Sequence, residues 1–274
     1  MKKNRKPLIV GNWKTNPATF EEAKMRFQAI KRGASKHNGI EVVICPPSPY
    51  ISALRALSKN TNVTIGAQDV SIYSEGSKTG EVSASMIYTS GAQIVIVGHS
   101  ERRVLGDTDG IVASKVAQAL KTEMTIVICI GEAERDNEGE YLHVIKRQLK
   151  EALAPVSRSQ FGQIIIAYEP VWAIGRKDNV AITSHDLHQM VIFIKKYIKE
   201  VWGDTIASVV PILYGGSVTA ENAQDILWNG EVDGLLVGRA SWQADTFGAL
   251  FTAVDTRRKA TIQLNRNKFS KAKK

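Results

Sequence analysis

The chain has 274 residues, 43% hydrophobic, 7% aromatic and 23% charged, a composition that excludes disorder and supplies enough apolar material for a large core. Cys45 and Cys129 stand far apart with no CxxC or CxxH spacing, which argues against a disulfide framework or zinc module and fits two small buried hydrophobes in a reducing compartment. The net charge of +9 invites a nucleic-acid reading, but Lys2, Lys3, Arg5, Lys6 and eight bases from Arg257 to Lys274 supply twelve of the 36 basic residues, without an acid among them, and leave 24 bases against 27 acids in the body.

The basic start resembles the head of a secretory signal. Leu8-Ile9-Val10 runs at once into Gly11-Asn12-Trp13-Lys14, however, so no apolar signal core follows, and no stretch reaches the length of a membrane span. The expectation is a cytoplasmic protein that makes no membrane contact.

Short apolar, largely β-branched runs follow in order: Leu8–Val10, Val42–Ile44, Val63–Ile65, Ile94–Val97, Ile126–Ile130, Ile164–Ile166, Val209–Leu213 and Leu235–Val237. Each is apolar on consecutive positions rather than alternating, which predicts strands buried on both faces of a parallel sheet. Pro211 weakens the seventh, since proline donates no ladder bond. Between them lie helical patterns over Phe20–Arg32, Ser48–Ser58, Asp109–Lys121, Glu140–Leu153, Ser184–Val201 and Thr219–Trp228. In Ser184–Val201, Leu187, Met190, Val191, Ile194, Ile198 and Val201 form one apolar stripe among lysines and a glutamate. Thr183 or Ser184 suits the start of that helix, and Thr219 with Asn222 the start of the next.

About eight strand–helix alternations, with no Pro-, Gly- or Ser-rich linker to divide them, predict an α/β protein made of one (β/α)8 barrel, eight parallel strands with outer helices. Residues 1–7 read as a basic lead, 8–254 as the barrel and 255–274 as a basic C-terminal extension. A doubly wound sheet would ask for GxGxxG after the first strand, which Gly11-Asn12-Trp13-Lys14 does not supply. No P-loop occurs, and His185 and His188 lack the glutamate of a zinc-protease helix, so no metal site is expected.

In such a barrel the working residues follow the strands. These positions hold Asn12 and Lys14, Gln68 and Asp69, His99-Ser100-Glu101, Gly131-Glu132, Glu169, Gly215-Gly216-Ser217 and Gly238. A carboxylate can take a carbon-bound proton beside a carbonyl, while an imidazole and an ammonium stabilise the oxyanion that develops. The glycine turns after the last two strands expose N–H groups, the frequent phosphate site of barrels. Together they predict proton abstraction on a small phosphorylated carbonyl compound, a chemistry that requires no metal or organic cofactor. Pro170-Val171-Trp172-Ala173-Ile174-Gly175 is an apolar loop suited to a lid that excludes water.

These residues resemble the triosephosphate isomerase family from about residue 8 to about 250. The motifs are Gly11-Asn12-Trp13-Lys14, Gly66-Ala67-Gln68, Thr79-Gly80-Glu81, Gly98-His99-Ser100-Glu101-Arg102-Arg103, Cys129-Ile130-Gly131-Glu132, Ala167-Tyr168-Glu169-Pro170-Val171-Trp172-Ala173-Ile174-Gly175 and Tyr214-Gly215-Gly216-Ser217-Val218. The resemblance implies interconversion of dihydroxyacetone phosphate and glyceraldehyde 3-phosphate through an enediolate. It makes Glu169 the proton-shuttling base, His99 the neutral electrophile, Lys14 the cation that stabilises negative charge and Asn12 a residue that orients the substrate. Glu101 would pair with the lysine, and Ser100 would stand near the base in the open state. N–H groups of Gly175, Ser217, Gly238 and Arg239 would hold the phosphate, with Ile174 capping the closed site. The resemblance further implies a homodimer in which the loop Asp69–Glu81, with Gln68 at its root and Thr79 at its tip, reaches the partner.

The chain departs from the family pattern at several points. Arg176-Lys177-Asp178 follows the lid in place of Thr-Gly-Lys, which should stiffen the hinge, Arg239 replaces a glycine, and Trp242 replaces a common leucine. Ser77-Lys78 stands where the dimer loop usually has Ala-Phe. A related four-carbon sugar phosphate is the competing substrate. Weak polyanion binding by the basic tail is the competing role of another kind.

Overall fold

The computed structural model describes residues 5–173 and 182–255. Its strands are β1 (Leu8–Asn12), β2 (Glu41–Cys45), β3 (Val63–Ala67), β4 (Ile94–Val97), β5 (Thr125–Ile130), β6 (Ile164–Tyr168), β7 (Ile212–Tyr214) and β8 (Gly234–Val237). Each pairs parallel with its chain neighbours, and β8 returns to β1 with Leu8 opposite Gly234 and Gly11 opposite Val237, so the sheet closes on itself. The helices are α1 (Phe20–Ala34), α2 (Ile51–Leu57), α3 (Ala84–Thr89), α4 (Ser100–Val104), α5 (Asp109–Ala119), α6 (Glu140–Leu153), α7 (Ser184–Trp202), α8 (Asp204–Val209), α9 (Ala223–Trp228) and α10, described over 244–255. The α/β barrel expected from the alternating pattern is the one observed.

Two apolar layers explain the consecutive hydrophobic runs. Val10, Val43, Cys45, Ile96, Cys129 and Leu213 point into the barrel, while Ile9, Ile44, Ile65, Val97, Ile128 and Ile166 face the helices. Alternate residues of a strand point to opposite faces, so burial of both faces needs an uninterrupted apolar run. Both cysteines are fully buried free thiols, and burial holds them in the protonated form by pushing their pKa upward.

Helix starts follow cap chemistry. Thr19, Ser83, Thr108 and Thr183 each accept an N–H from the residue three positions on, at 3.3, 3.3, 3.3 and 3.1 Å. Two expected starts shift for a local reason, while other bounds move by a residue or two. The seventh strand begins at Ile212, because α8 runs to Val209 and Pro211 contributes only its carbonyl, which accepts from Ile166 N at 3.0 Å. The helix expected from Thr219 begins at Ala223, since Thr219 N donates to Asn222 Oδ1 at 2.8 Å and closes a side-chain turn first.

One ionic cluster secures the long loop after β3. Lys115, 3% exposed, donates to Asp69 at 2.6 and 2.9 Å and to Asp107 at 2.6 Å, and Arg102 reaches the same two carboxylates. A buried ammonium is tolerable only with this full set of acceptors.

Candidate active site

The first rim segment is a strained turn held from three sides. Lys14 adopts φ +54°, a region that non-glycine residues seldom enter. Asn12 Oδ1 accepts its N–H at 3.0 Å, while the Gln68 amide donates to Lys14 O at 2.8 Å and to Cys45 O at 2.9 Å. Thus Gln68, grouped by sequence with the dimer loop, braces the lysine of its own barrel. The ammonium so presented meets Glu101 Oε1 at 2.5 Å.

Glu169 follows β6 directly and is 2% exposed. Its N–H donates to Ile130 O at 2.8 Å, so its backbone still belongs to the sheet. Two glycines make room for it: a Cβ at Gly131 would lie 1.8 Å from Glu169 O, and one at Gly215 would lie 2.7 Å from Glu169 Cγ. Oε2 accepts the Ser100 N–H at 2.9 Å, whereas Oε1 lies 3.4 Å from His99 Nε2 and has no hydrogen-bond partner among the described residues. His99 Nδ1 accepts the Glu101 N–H at 3.2 Å. An accepting Nδ1 carries no proton, which leaves the N–H of a neutral ring on Nε2, facing the carboxylate. The site therefore joins a lightly tethered carboxylate, a neutral imidazole and an ammonium on one barrel end.

Two further turns complete the rim. After β7, Gly215-Gly216-Ser217 runs so close to Tyr214 that a Cβ at Gly216 would meet its hydroxyl at 2.2 Å; Ser217 itself is exposed. After β8, the 3-10 turn Arg239–Ser241 starts from Gly238, where a Cβ would stand 3.3 Å from Lys14 Cε. Arg239 is exposed, and Ser241 Oγ ties the turn to Gly238 O at 2.7 Å and Asn12 O at 3.2 Å.

Beside Lys14 and His99 opens a groove of about 650 Å³, walled by Ile72, Tyr73, Val82 and Leu105. Residues 73–82, including Thr79, stand exposed around it. Ile174, Gly175 and Arg176-Lys177-Asp178 lie outside the described residues, as do 1–4 of the basic lead and 256–274 of the extension.

A family model described as triosephosphate isomerase matches residues 7–254. The chain belongs to the triosephosphate isomerase family. Among similar proteins, the triosephosphate isomerase of Flavobacterium johnsoniae is 37% identical over 252 residues, which cover 91% of this chain and all of that protein. That of Roseiflexus sp. strain RS-1 is 38% identical, over 89% of this chain and 95% of its own. The crystal structure of triosephosphate isomerase from Bartonella henselae superposes with a TM-score of 0.80 at 35% identity, covering 91% of this chain and 99% of that one. As a triosephosphate isomerase, the chain interconverts dihydroxyacetone phosphate and D-glyceraldehyde 3-phosphate, an intramolecular aldose–ketose isomerisation.

The same barrel end holds residues to which sequence reading gave no role. Glu132, 1% exposed, accepts from Tyr168 OH and from Trp172 Nε1, each at 2.8 Å, and its carbonyl accepts Val171 N at 3.0 Å. Burial raises its pKa above the ordinary carboxylate value, although the two donors oppose that shift. The segment Val171–Ala173 thereby forms a short 3-10 helix fixed to the loop after β5. Its sequence signal was the rim position directly after the fifth run, and its partners emerge only once β5 and β6 lie side by side.

Proposed function

We propose that Glu169 is the base of this isomerisation. It takes a proton from C1 of dihydroxyacetone phosphate. The C–H electron pair becomes the C1–C2 double bond of an enediolate as charge moves to the C2 oxygen; the C1 hydroxyl proton then passes to the C2 oxygen, and Glu169 returns its proton to C2 as the C1 carbonyl forms. His99 donates its Nε2–H to the substrate oxygens, Lys14 stabilises the negative charge, and Asn12 orients the substrate. The observation that carries this reading is the Glu169 carboxylate, buried and held by a single amide hydrogen bond beside a neutral imidazole. A base must leave its resting contact to reach carbon, and one hydrogen bond is a small barrier to that movement. Ser100 and Glu101 support the resting arrangement through their contacts with Glu169 and Lys14. Glu169→Gln, assayed for turnover and for solvent-hydrogen exchange into dihydroxyacetone phosphate, tests the assignment; wild-type exchange in that variant would end it.

The phosphate is held by N–H groups of Gly175, Ser217, Gly238 and Arg239, with Ile174 capping the closed site. The glycine turns and their nearness to the Lys14 side chain support this. Competitive inhibition by inorganic phosphate, weakened by Gly238→Ala, is the expected result.

The working unit is a homodimer. Val104 and Leu105 are 84% and 74% exposed, Leu105 on the wall of a groove that adjoins Lys14, and this apolar exposure beside the exposed loop 73–82 supports the reading. Leu105→Asp should lower the sedimentation coefficient to that of a monomer and reduce activity. Residues 8–254 form the catalytic barrel, with 1–7 and 255–274 as basic extensions, and two separated buried thiols fit a reducing cytoplasm.

A further inference from the structure

The turn after β8 is gripped from outside the barrel by a device that the mechanism does not use. Trp242 ends this turn with its indole packed against the outer core. The Arg26 guanidinium, projecting from α1, lies 4.8 Å from the centre of that ring, and its Nη1 donates to Trp242 O at 2.5 Å. Glu22, one helical turn earlier, holds the guanidinium through Arg26 Nε at 3.0 Å and also through Nη2. Only 24% of the Arg26 side chain is exposed. Stacking, a charged hydrogen bond to a carbonyl and an ion pair thus meet on one planar group, a combination that a lysine ammonium does not reproduce.

The same turn is fastened from inside. Trp13 Nε1 donates to Ser241 O at 3.1 Å, and Ser241 Oγ bridges Asn12 O and Gly238 O. Each fastening leads back to one chain segment, the stretch from Asn12 through Lys14 into α1. The clamp therefore sets the separation between the Lys14 segment and the Gly238-Arg239 peptide, the two groups that must meet a single phosphorylated ligand.

We propose that Arg26 is a positioning residue for phosphate recognition, holding the β8 turn at the height at which its amides and Lys14 grip the ligand together. This rests on the reading that the β8 turn binds phosphate. Release of the clamp loosens an interaction made equally in ground and transition states, so KM rises while kcat holds.

The test compares wild type, Arg26→Ala, Arg26→Lys, Glu22→Gln and Gly238→Ala. Each is assayed for KM, kcat, melting temperature and Ki of inorganic phosphate as a competitive inhibitor. Arg26→Ala should raise KM and Ki in parallel by about three- to tenfold with kcat within about twofold, while Arg26→Lys and Glu22→Gln fall between it and wild type. A lowered melting temperature with unchanged KM and Ki in Arg26→Ala, while Gly238→Ala weakens phosphate, would overturn the clamp and leave the phosphate reading intact. Unchanged Ki in both Arg26→Ala and Gly238→Ala would overturn the two together.

Discussion

Glu132 and Glu169 end neighbouring strands and are equally buried, at 1% and 2% exposed, yet their surroundings differ. One oxygen of Glu132 takes two side-chain donors, a phenol and an indole, which bind the carboxylate to β6 and to the short 3-10 helix after it. Glu169 accepts one amide and looks at a neutral imidazole across 3.4 Å. Burial at a barrel rim is therefore not the mark of the proposed base. What distinguishes the two is how many donors must be given up before the carboxylate can move. The lysines repeat the lesson: Lys115 is fixed by three carboxylate contacts, whereas Lys14, among the described residues, meets the carboxylate of Glu101 alone and faces the groove.

The comparison breaks most sharply if the lightly held group proves dispensable. Glu169→Gln should lower kcat by about 10³-fold or more with an unchanged circular dichroism spectrum, since it removes the proton acceptor and keeps the shape. Lys14→Ala comes next, with a loss in kcat/KM of about 10²- to 10³-fold in the same coupled assay. Gly215→Ala acts on Glu169 indirectly. Its new methyl would press on Glu169 Cγ from 2.7 Å, and a displaced carboxylate should cost about 10- to 100-fold in kcat with little change in KM.

Glu132→Gln is the mildest expected change in turnover, within about threefold in kcat, because the amide oxygen still accepts both donors. Its signature lies in stability against pH. Glu132 has its pKa raised by burial, so the folded state binds more protons than the unfolded one between the ordinary carboxylate pKa and the raised value. Unfolding free energy should consequently fall as pH rises through that window. In denaturant titrations Glu132→Gln should gain on wild type as pH goes from acid to neutral, and a constant difference would refute the assignment.

Most of the fold was legible because burial on both faces forces apolar runs of strand length, and all eight appeared. The seventh was misplaced at its start, where Val209 and Val210 carry a strand composition but close α8 ahead of Pro211. Helices α3, α4 and α8 are too short for a periodic stripe, and their starts show only in local caps such as Ser83. Within the site, residue types after strands pointed to Asn12, Lys14, His99 and Glu169. They did not show that Gln68 braces Lys14, that Gly131 and Gly215 clear space for Glu169, or that Arg26 stacks on Trp242. Those contacts join segments far apart in the chain, so no local pattern encodes them.

The most direct test of the contrast between the carboxylates is hydrogen exchange in heavy water. Dihydroxyacetone phosphate is incubated with wild type, Glu169→Gln or Glu132→Gln, and deuterium at C1 is followed by proton NMR with phosphate inhibition as a control for binding. Fast incorporation by wild type and Glu132→Gln, with none above background by a Glu169→Gln variant that still binds phosphate, is the predicted result. Wild-type incorporation by Glu169→Gln, or its loss in Glu132→Gln alone, would contradict the account.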